Sequence, residues 1–169
     1  MTVPAIWITP EADLDAVLQR APNATLFSFG SPSRPSPMPQ ARCRTRHAFA
    51  FNDIAEPQDG LVPPDAGHVT RLVTLLREGG HGPLVFQCWF GVSRSAAAAT
   101  IACCALGLAA PSRVAERLRH TAPWATPNPL MIAHADALLG LEGALSEAVR
   151  SIGRGVQTST GRAVRLDLG

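Results

Sequence analysis

The stretch that most limits what this chain can become runs from Gly82 to Leu106. Pro83 to Gln87 is a short apolar run led by Gly82-Pro83, which predicts a buried strand. Ser95 to about Leu106 (SAAAATIACCAL) predicts a buried helix of small residues that allow close packing. Between them lies C-W-F-G-V-S-R, Cys88 to Arg94. A strand that feeds a short loop opening onto a helix N-terminus aims successive backbone N–H groups into one concavity. Such a concavity binds anions, and the helix dipole adds to the attraction. Cys88 at its base would have its thiolate stabilised by those dipoles. Arg94 brings a planar, two-pronged donor suited to phosphate oxygens. Gly91 stands mid-loop, where backbone is expected to crowd a ligand, and Ser93 and Ser95 flank the arginine. The unit reads as a nucleophile inside a phosphate cradle, against the plainer reading of Cys88 as a buried structural cysteine.

The rest of the chain supplies strands and helices in alternation. Ala5 to Ile8 predicts a brief strand, with Thr9 capping a helix whose first position is Pro10 and whose apolar positions are Leu14, Val17 and Leu18. Ala24 to Phe29 predicts a second strand, and Gly30 to Gln40 a proline-rich, mobile surface loop. Arg42 to Phe51 alternates arginines with Cys43, Thr45, His47, Phe49 and Phe51, the pattern of a strand with one buried face. Pro64-Asp65 opens a helix striped by Val69, Leu72, Val73 and Leu76, which Gly79-Gly80 stops. Past the cradle, helices are expected from Pro111, over Pro129 to Leu139 behind Asn128, and from Leu141 to Ile152. The predicted fold class is α/β: a single domain with a central, mostly parallel sheet flanked by helices. Its phosphate-binding loop sits between a strand and a helix, at the carboxyl edge where such sheets bind ligands. Residues 1–154 are read as the domain and residues 155–169 as a loose tail.

Composition removes several function classes. At 169 residues and 46% apolar, the chain has enough material for one real core. A net charge of +2 gives no ground for expecting a nucleic acid or a membrane surface as partner. The 15 basic residues are all arginine and no tyrosine occurs, which reads as coding bias. Four cysteines, two of them adjacent, do not make a disulfide framework, so a reducing cytoplasm is expected. The start, MTVPAIWITPEADL, lacks the basic and apolar regions of a signal peptide. The longest apolar run, after Ser95, is too short to span a bilayer. No cluster of His, Cys and Asp has ligand spacing, so neither a metal nor another cofactor is expected. His47, His120 and His134 lie on or beside apolar faces and read as core or surface residues.

The segment Q-C-W-F-G-V-S-R-S resembles the HC-x-x-G-x-S-R-S/T signature of the cysteine-based phosphatases, nearest to the dual-specificity-like branch. It also resembles a group of short bacterial tyrosine phosphatases with CW-x-G-x-SRS. The likeness extends from about Arg42 to Ile152. It implies a protein-tyrosine or dual-specificity phosphatase, a hydrolase acting through a phosphocysteine intermediate. Cys88 would attack phosphorus while Arg94 and the loop from Trp89 through Gly91 and Val92 to Ser93 hold the oxygens. An aspartic acid would protonate the leaving group and then activate water, and the Ser95 hydroxyl would assist thiolate departure. The sequence departs from the signature at Gln87, where histidine is usual.

The proton donor is best sought in Asp53, at a strand's end 35 residues before Cys88. That is the strand-to-loop position at which the resemblance places the general acid. Asp59 comes second, because its loop could fold over the site, and Glu56 third. Thr126-Pro127-Asn128 resembles a Pro-Asn element of the family, although a plain helix cap explains Asn128 equally well. A redox relay through Cys88 needs a resolving thiol nearby. Cys103 and Cys104 fall about 20 Å along the predicted helix, and Cys43 sits roughly 25–30 Å away along its strand. Trp89, Phe90 and Val92 are apolar where loops for multiply charged lipid headgroups are basic. The expected substrate is therefore a phosphorylated protein or small aryl phosphate, with phosphate, sulfate or vanadate as simple ligands of the loop. The alternative function is a catalytically weak module that binds phosphorylated partners, and its motive is Gln87.

Overall fold

The computed structural model describes residues 3–80 and 82–169, so Met1, Thr2 and His81 lie outside the described residues. Five strands form one sheet: β1 (Ile6–Pro10), β2 (Thr25–Gly30), β3 (Thr45–Ala50), β4 (Leu84–Cys88) and β5 (Val164–Leu166). Their order is β3-β2-β4-β1-β5, with β1 to β4 parallel and β5 antiparallel to β1. The expected α/β architecture with a mostly parallel central sheet is the observed one.

The alternation of side chains along the strands divides the interior in two. Ile6 and Ile8 of β1, Phe27 and Phe29 of β2, and Leu84, Phe86 and Cys88 of β4 face the larger core. Helices α2 (Ala66–Arg77), α3 (Arg94–Ala105), α4 (Pro111–Thr121), α5 (Pro129–Leu139) and α6 (Ala144–Ser151) cover this side. Leu26 and Val85 face the smaller core, which α1 (Leu14–Arg20) closes with Leu14, Val17 and Leu18. α3 lies at the centre of the larger layer, and Ala96 to Ala99 are fully buried there. Small side chains let a helix approach this closely, which explains the alanine run after Ser95.

Four expectations are corrected. Thr9 does not cap a helix. Its backbone is engaged in the β1–β4 ladder, with Thr9 opposite Gln87 and Pro10 opposite Cys88, and a 3₁₀ turn over Glu11–Asp13 precedes α1. The strand expected from Arg42 begins only at Thr45. Residues 155–169 are not a loose tail, because they return along the larger layer and add β5 to the sheet. Leu166, buried opposite Ile6, explains the pairing. The proline-rich loop after β2 is tied down. Ser31 and Arg34 exchange backbone hydrogen bonds of 2.9 and 3.0 Å, and Arg46 donates to the Ser36 carbonyl at 2.8 Å.

Candidate active site

β4 ends at Cys88 and α3 begins at Arg94, so the intervening loop is fixed between the middle of the sheet and a buried helix. Four of the loop carbonyls turn outward to neighbouring segments. Glu11 N–H donates to Trp89 O at 3.2 Å, Gly161 N–H to Phe90 O at 2.7 Å, and Thr126 N–H to Val92 O at 2.9 Å. Ser93 O accepts from Ala97 N–H at 2.9 Å and more loosely from Asn128 N–H at 3.4 Å. A trans peptide sets its N–H opposite its C=O. Each outward carbonyl therefore turns the next residue's N–H inward, and among the described residues no N–H from Phe90 to Ser93 donates to a protein acceptor. Ser93 occupies the N-cap position of α3 without capping it, because its hydroxyl donates instead to Asp53 Oδ1 at 2.7 Å. The first-turn N–H groups of α3 stay open for an anion.

Cys88 is 2% exposed, and its Sγ lies 3.1 Å from Ser95 Oγ. Arg94 is 5% exposed. Its guanidinium donates to Phe51 O at 2.9 Å and to Ser31 Oγ at 3.3 Å, which fixes its plane across the ends of β2 and β3. Asp53 stands just beyond β3 with Oδ2 4.0 Å from Arg94 Nε. Its Oδ1 accepts from Ser93 Oγ and, at 2.8 Å, from Asn128 Nδ2. Asp53, Cys88, Phe90, Val92, Ser93 and Arg94, with Thr158 and Ser159, line one cavity of about 250 Å³. A groove of about 680 Å³ continues from it past Asp53 along Trp124 and residues 154–158.

Of the three acids considered for the site, only Asp53 lines this cavity; Asp59 and Glu56 are exposed and do not. Trp89 and Phe90 stack on each other and stay about half exposed at the mouth, with the Arg34 guanidinium over the Trp89 ring. Phe90 lines the cavity and Trp89 does not. Gly91 has φ +64°, and a Cβ there would meet Pro10 N at 2.6 Å, so the missing side chain lets the loop lie against β1. Gln87, where the signature has histidine, does not line the cavity. It is fully buried on the smaller-core side, between Thr9 and Ser28 on the neighbouring strands. Neither amide atom has a hydrogen-bond partner.

Asn128 does more than cap α5. While Oδ1 accepts from Leu130 and Met131 N–H, Nδ2 donates to Asp53 and, at 3.0 Å, to Ile54 O. The Pro-Asn pair before a helix was the available signal. Ser31, Thr158 and Ser159 carried none. Among the described residues no group of His, Cys, Asp and Glu is arranged to hold a metal ion. Burial, reinforced by the neighbouring Cys104, pushes the Cys103 thiol up to about 12, and burial raises Cys104 to about 11. Neither supplies a thiolate near neutral pH.

Solved structures share this arrangement of strands and helices. Human DUSP28 superposes with a TM-score of 0.59 at 20% identity, over 84% of this chain and 96% of its own. DUSP15 gives 0.57 at 19% identity, over 90% and 92%. The fold is that of the dual-specificity phosphatases. A mouse putative dual specificity phosphatase, solved in complex with zinc tungstate, gives 0.54 at 20% identity over 88% of this chain and 93% of its own. No protein-family model matches the chain, and no curated protein matches it by sequence. Among the described residues no helix is long and apolar enough to cross a membrane.

Proposed function

We propose that this protein is a phosphoric monoester hydrolase that works through a phosphocysteine intermediate on phosphotyrosine-like aryl phosphates. One observation carries the reading. Cys88 Sγ sits 3.1 Å from the Ser95 hydroxyl at the foot of a cavity that Arg94 and Asp53 also line. In the first step the Cys88 thiolate attacks phosphorus, the S–P bond forms, and the ester P–O bond breaks. Asp53 gives its proton to the departing oxygen. The inward N–H groups of the loop and the Arg94 guanidinium hold the phosphoryl oxygens where charge gathers in the transition state. In the second step water attacks phosphorus, Asp53 takes its proton, and the S–P bond breaks. Ser95 then donates a hydrogen bond to the released thiolate. Asn128 and Ser93 hold one oxygen of Asp53 and leave the other toward the cavity, so the two steps use one carboxyl in one position.

The exposed Phe90 at the mouth suits an aromatic leaving group, and a phosphorylated protein or small aryl phosphate is the proposed substrate. The free state of all four cysteines fits a reducing cytoplasm. A module that only binds phosphorylated partners was motivated by Gln87, whose side chain makes no hydrogen bond to the loop. Hydrolysis of an aryl phosphate by the wild type and Cys88→Ser tests the proposal. The variant loses turnover and keeps affinity for phosphate or tungstate, since amides and Arg94 hold the anion. Wild-type turnover in the serine variant would end the phosphocysteine reading.

A further inference from the structure

The chain's last residues run against the back of the phosphate loop. Gly155 N–H donates to Thr126 Oγ1 at 3.0 Å and Val156 N–H to Pro123 O at 2.9 Å. Thr158 and Ser159 reach the cavity that holds Cys88. Thr160 Oγ1 and Gly161 N–H both donate to Phe90 O, at 3.3 and 2.7 Å. Ala163 N–H then donates to Asp13 Oδ2 at 3.1 Å, and β5 begins. Gly161 is buried, and a Cβ on it would lie 2.8 Å from Gly91 O and closer still to Trp124 Nε1. Only a residue without a side chain brings its N–H this near to Phe90 O.

We infer that Gly161 is a positioning residue for anion binding, and that the segment from Thr158 to Gly161 is a working wall of the site. The inference rests on reading the loop as a phosphate cradle. The Phe90 carbonyl and the Gly91 N–H belong to one planar peptide and point in opposite directions. By holding that carbonyl outward, Gly161 aims the Gly91 N–H at the bound oxyanion. A side chain at position 161 pushes the segment off the loop, frees the Phe90 carbonyl and lets the peptide rotate. The cradle then loses one donor, with Cys88, Arg94 and Asp53 untouched.

The test compares Gly161→Ala with Leu166→Ala in the full chain. Leu166→Ala empties a buried position of β5, five residues beyond Gly161, and serves as the purely structural control. For each, melting temperature, tungstate affinity by calorimetry, and kcat and KM on an aryl phosphate are measured. Losing one donor to the developing charge costs about 10²-fold in kcat. Losing a hydrogen bond to an anion weakens tungstate by about tenfold or more. We expect both losses in Gly161→Ala and neither in Leu166→Ala at a similar drop in melting temperature. Gly161→Ala with wild-type kcat and tungstate affinity overturns the inference. If Gly161→Ala does not fold, amide exchange in the wild type decides. Tungstate should slow Gly161 and Gly91 N–H together, and slowing of Gly91 alone overturns it. A wild type that binds tungstate but hydrolyses nothing defeats the proposed function and leaves this test intact. A wild type that binds no tungstate defeats both.

Discussion

On the side of the sheet covered by α2 to α6, Ser95, Thr100, Asn128 and Asp136 are buried and every one is hydrogen-bonded. On the side covered by α1, the side chains of Ser28 and Gln87 are fully buried and make no hydrogen bond among the described residues, and the Thr9 hydroxyl donates to the carbonyl of Pro10 next to it. The exceptions on the first side are Arg94 Nε and Trp124 Nε1, and both residues border the cavity or its groove. An unmade hydrogen bond inside a protein costs about 1–3 kcal/mol. The two sides therefore use buried polarity differently. Five helices offer loop ends and N-termini that satisfy polar groups and aim them; one short helix offers little besides Leu14, Val17 and Leu18. The consequence is that consecutive residues, Gln87 and Cys88, belong to different environments although both stand in one motif.

The largest effect that can break this comparison is expected at Asp53. Removing a general acid costs about 10²–10⁴-fold, and the cost grows with the basicity of the leaving group. Asp53→Asn should hydrolyse phenyl phosphate far worse than an activated nitrophenyl ester. Steady-state rates on the two esters decide it. An equal loss on both would mean that the hydrogen bonds to Oδ1 serve only to close the loop after β3, and that the aimed polarity of this side is structural.

Asp136 sharpens the comparison away from the site. It lies on α5 and accepts from Gly143 N–H and Ser146 N–H, each at 2.7 Å, across the start of α6. Burial works to raise its carboxyl, but these hydrogen bonds outweigh burial and hold it below the usual range. A carboxyl lowered on folding stabilises the protein above its unfolded value, about 3.9, and the contribution disappears as pH falls through the lower folded value. Asp136→Asn should cost about 1–3 kcal/mol at pH 7, with the gap to wild type shrinking steadily below about pH 4. Urea unfolding at pH 7 and at pH 3 measures it. A gap that persists in acid would show that the carboxylate's charge is irrelevant there.

The sequence made these two environments unequally legible. The strand, loop and helix around Cys88 are local, and α5 was legible to its ends because Asn128 and Gly140 punctuate it. Asp53 was reachable because the end of β3 is legible locally and the resemblance places the general acid at such a strand-to-loop position. Which face Gln87 occupies needs strand parity relative to both cores, and α1 gives the smaller core only a weak periodic signal. Residues 155–169 were misread for a related reason. A three-residue strand with one buried leucine has no pattern of its own, and it exists only because β1 presents an edge. The role of Asn128 was half visible, since a cap is local and a bond to Asp53 spans 75 residues.

The smallest effect expected, and the one that addresses the comparison most directly, is at Gln87. It stands where the signature has histidine, yet its amide lies between Thr9 and Ser28 with both polar atoms unpaired among the described residues. Methionine has a similar length and flexibility and brings no amide into this layer. Replacing an unpaired buried polar group by an apolar one of similar shape removes its desolvation cost, so Gln87→Met should raise stability by about 1 kcal/mol. It should leave kcat and KM on an aryl phosphate unchanged, because the ladder bonds that fix β4 are made by backbone. Thermal melts and steady-state rates on the same preparation suffice. A stabilised variant with unchanged rates places the polarity of this side outside the chemistry. A fall in rate would instead show that the smaller core reaches Cys88 through its neighbour, and the division between the two faces would fail at the one residue pair where it matters most.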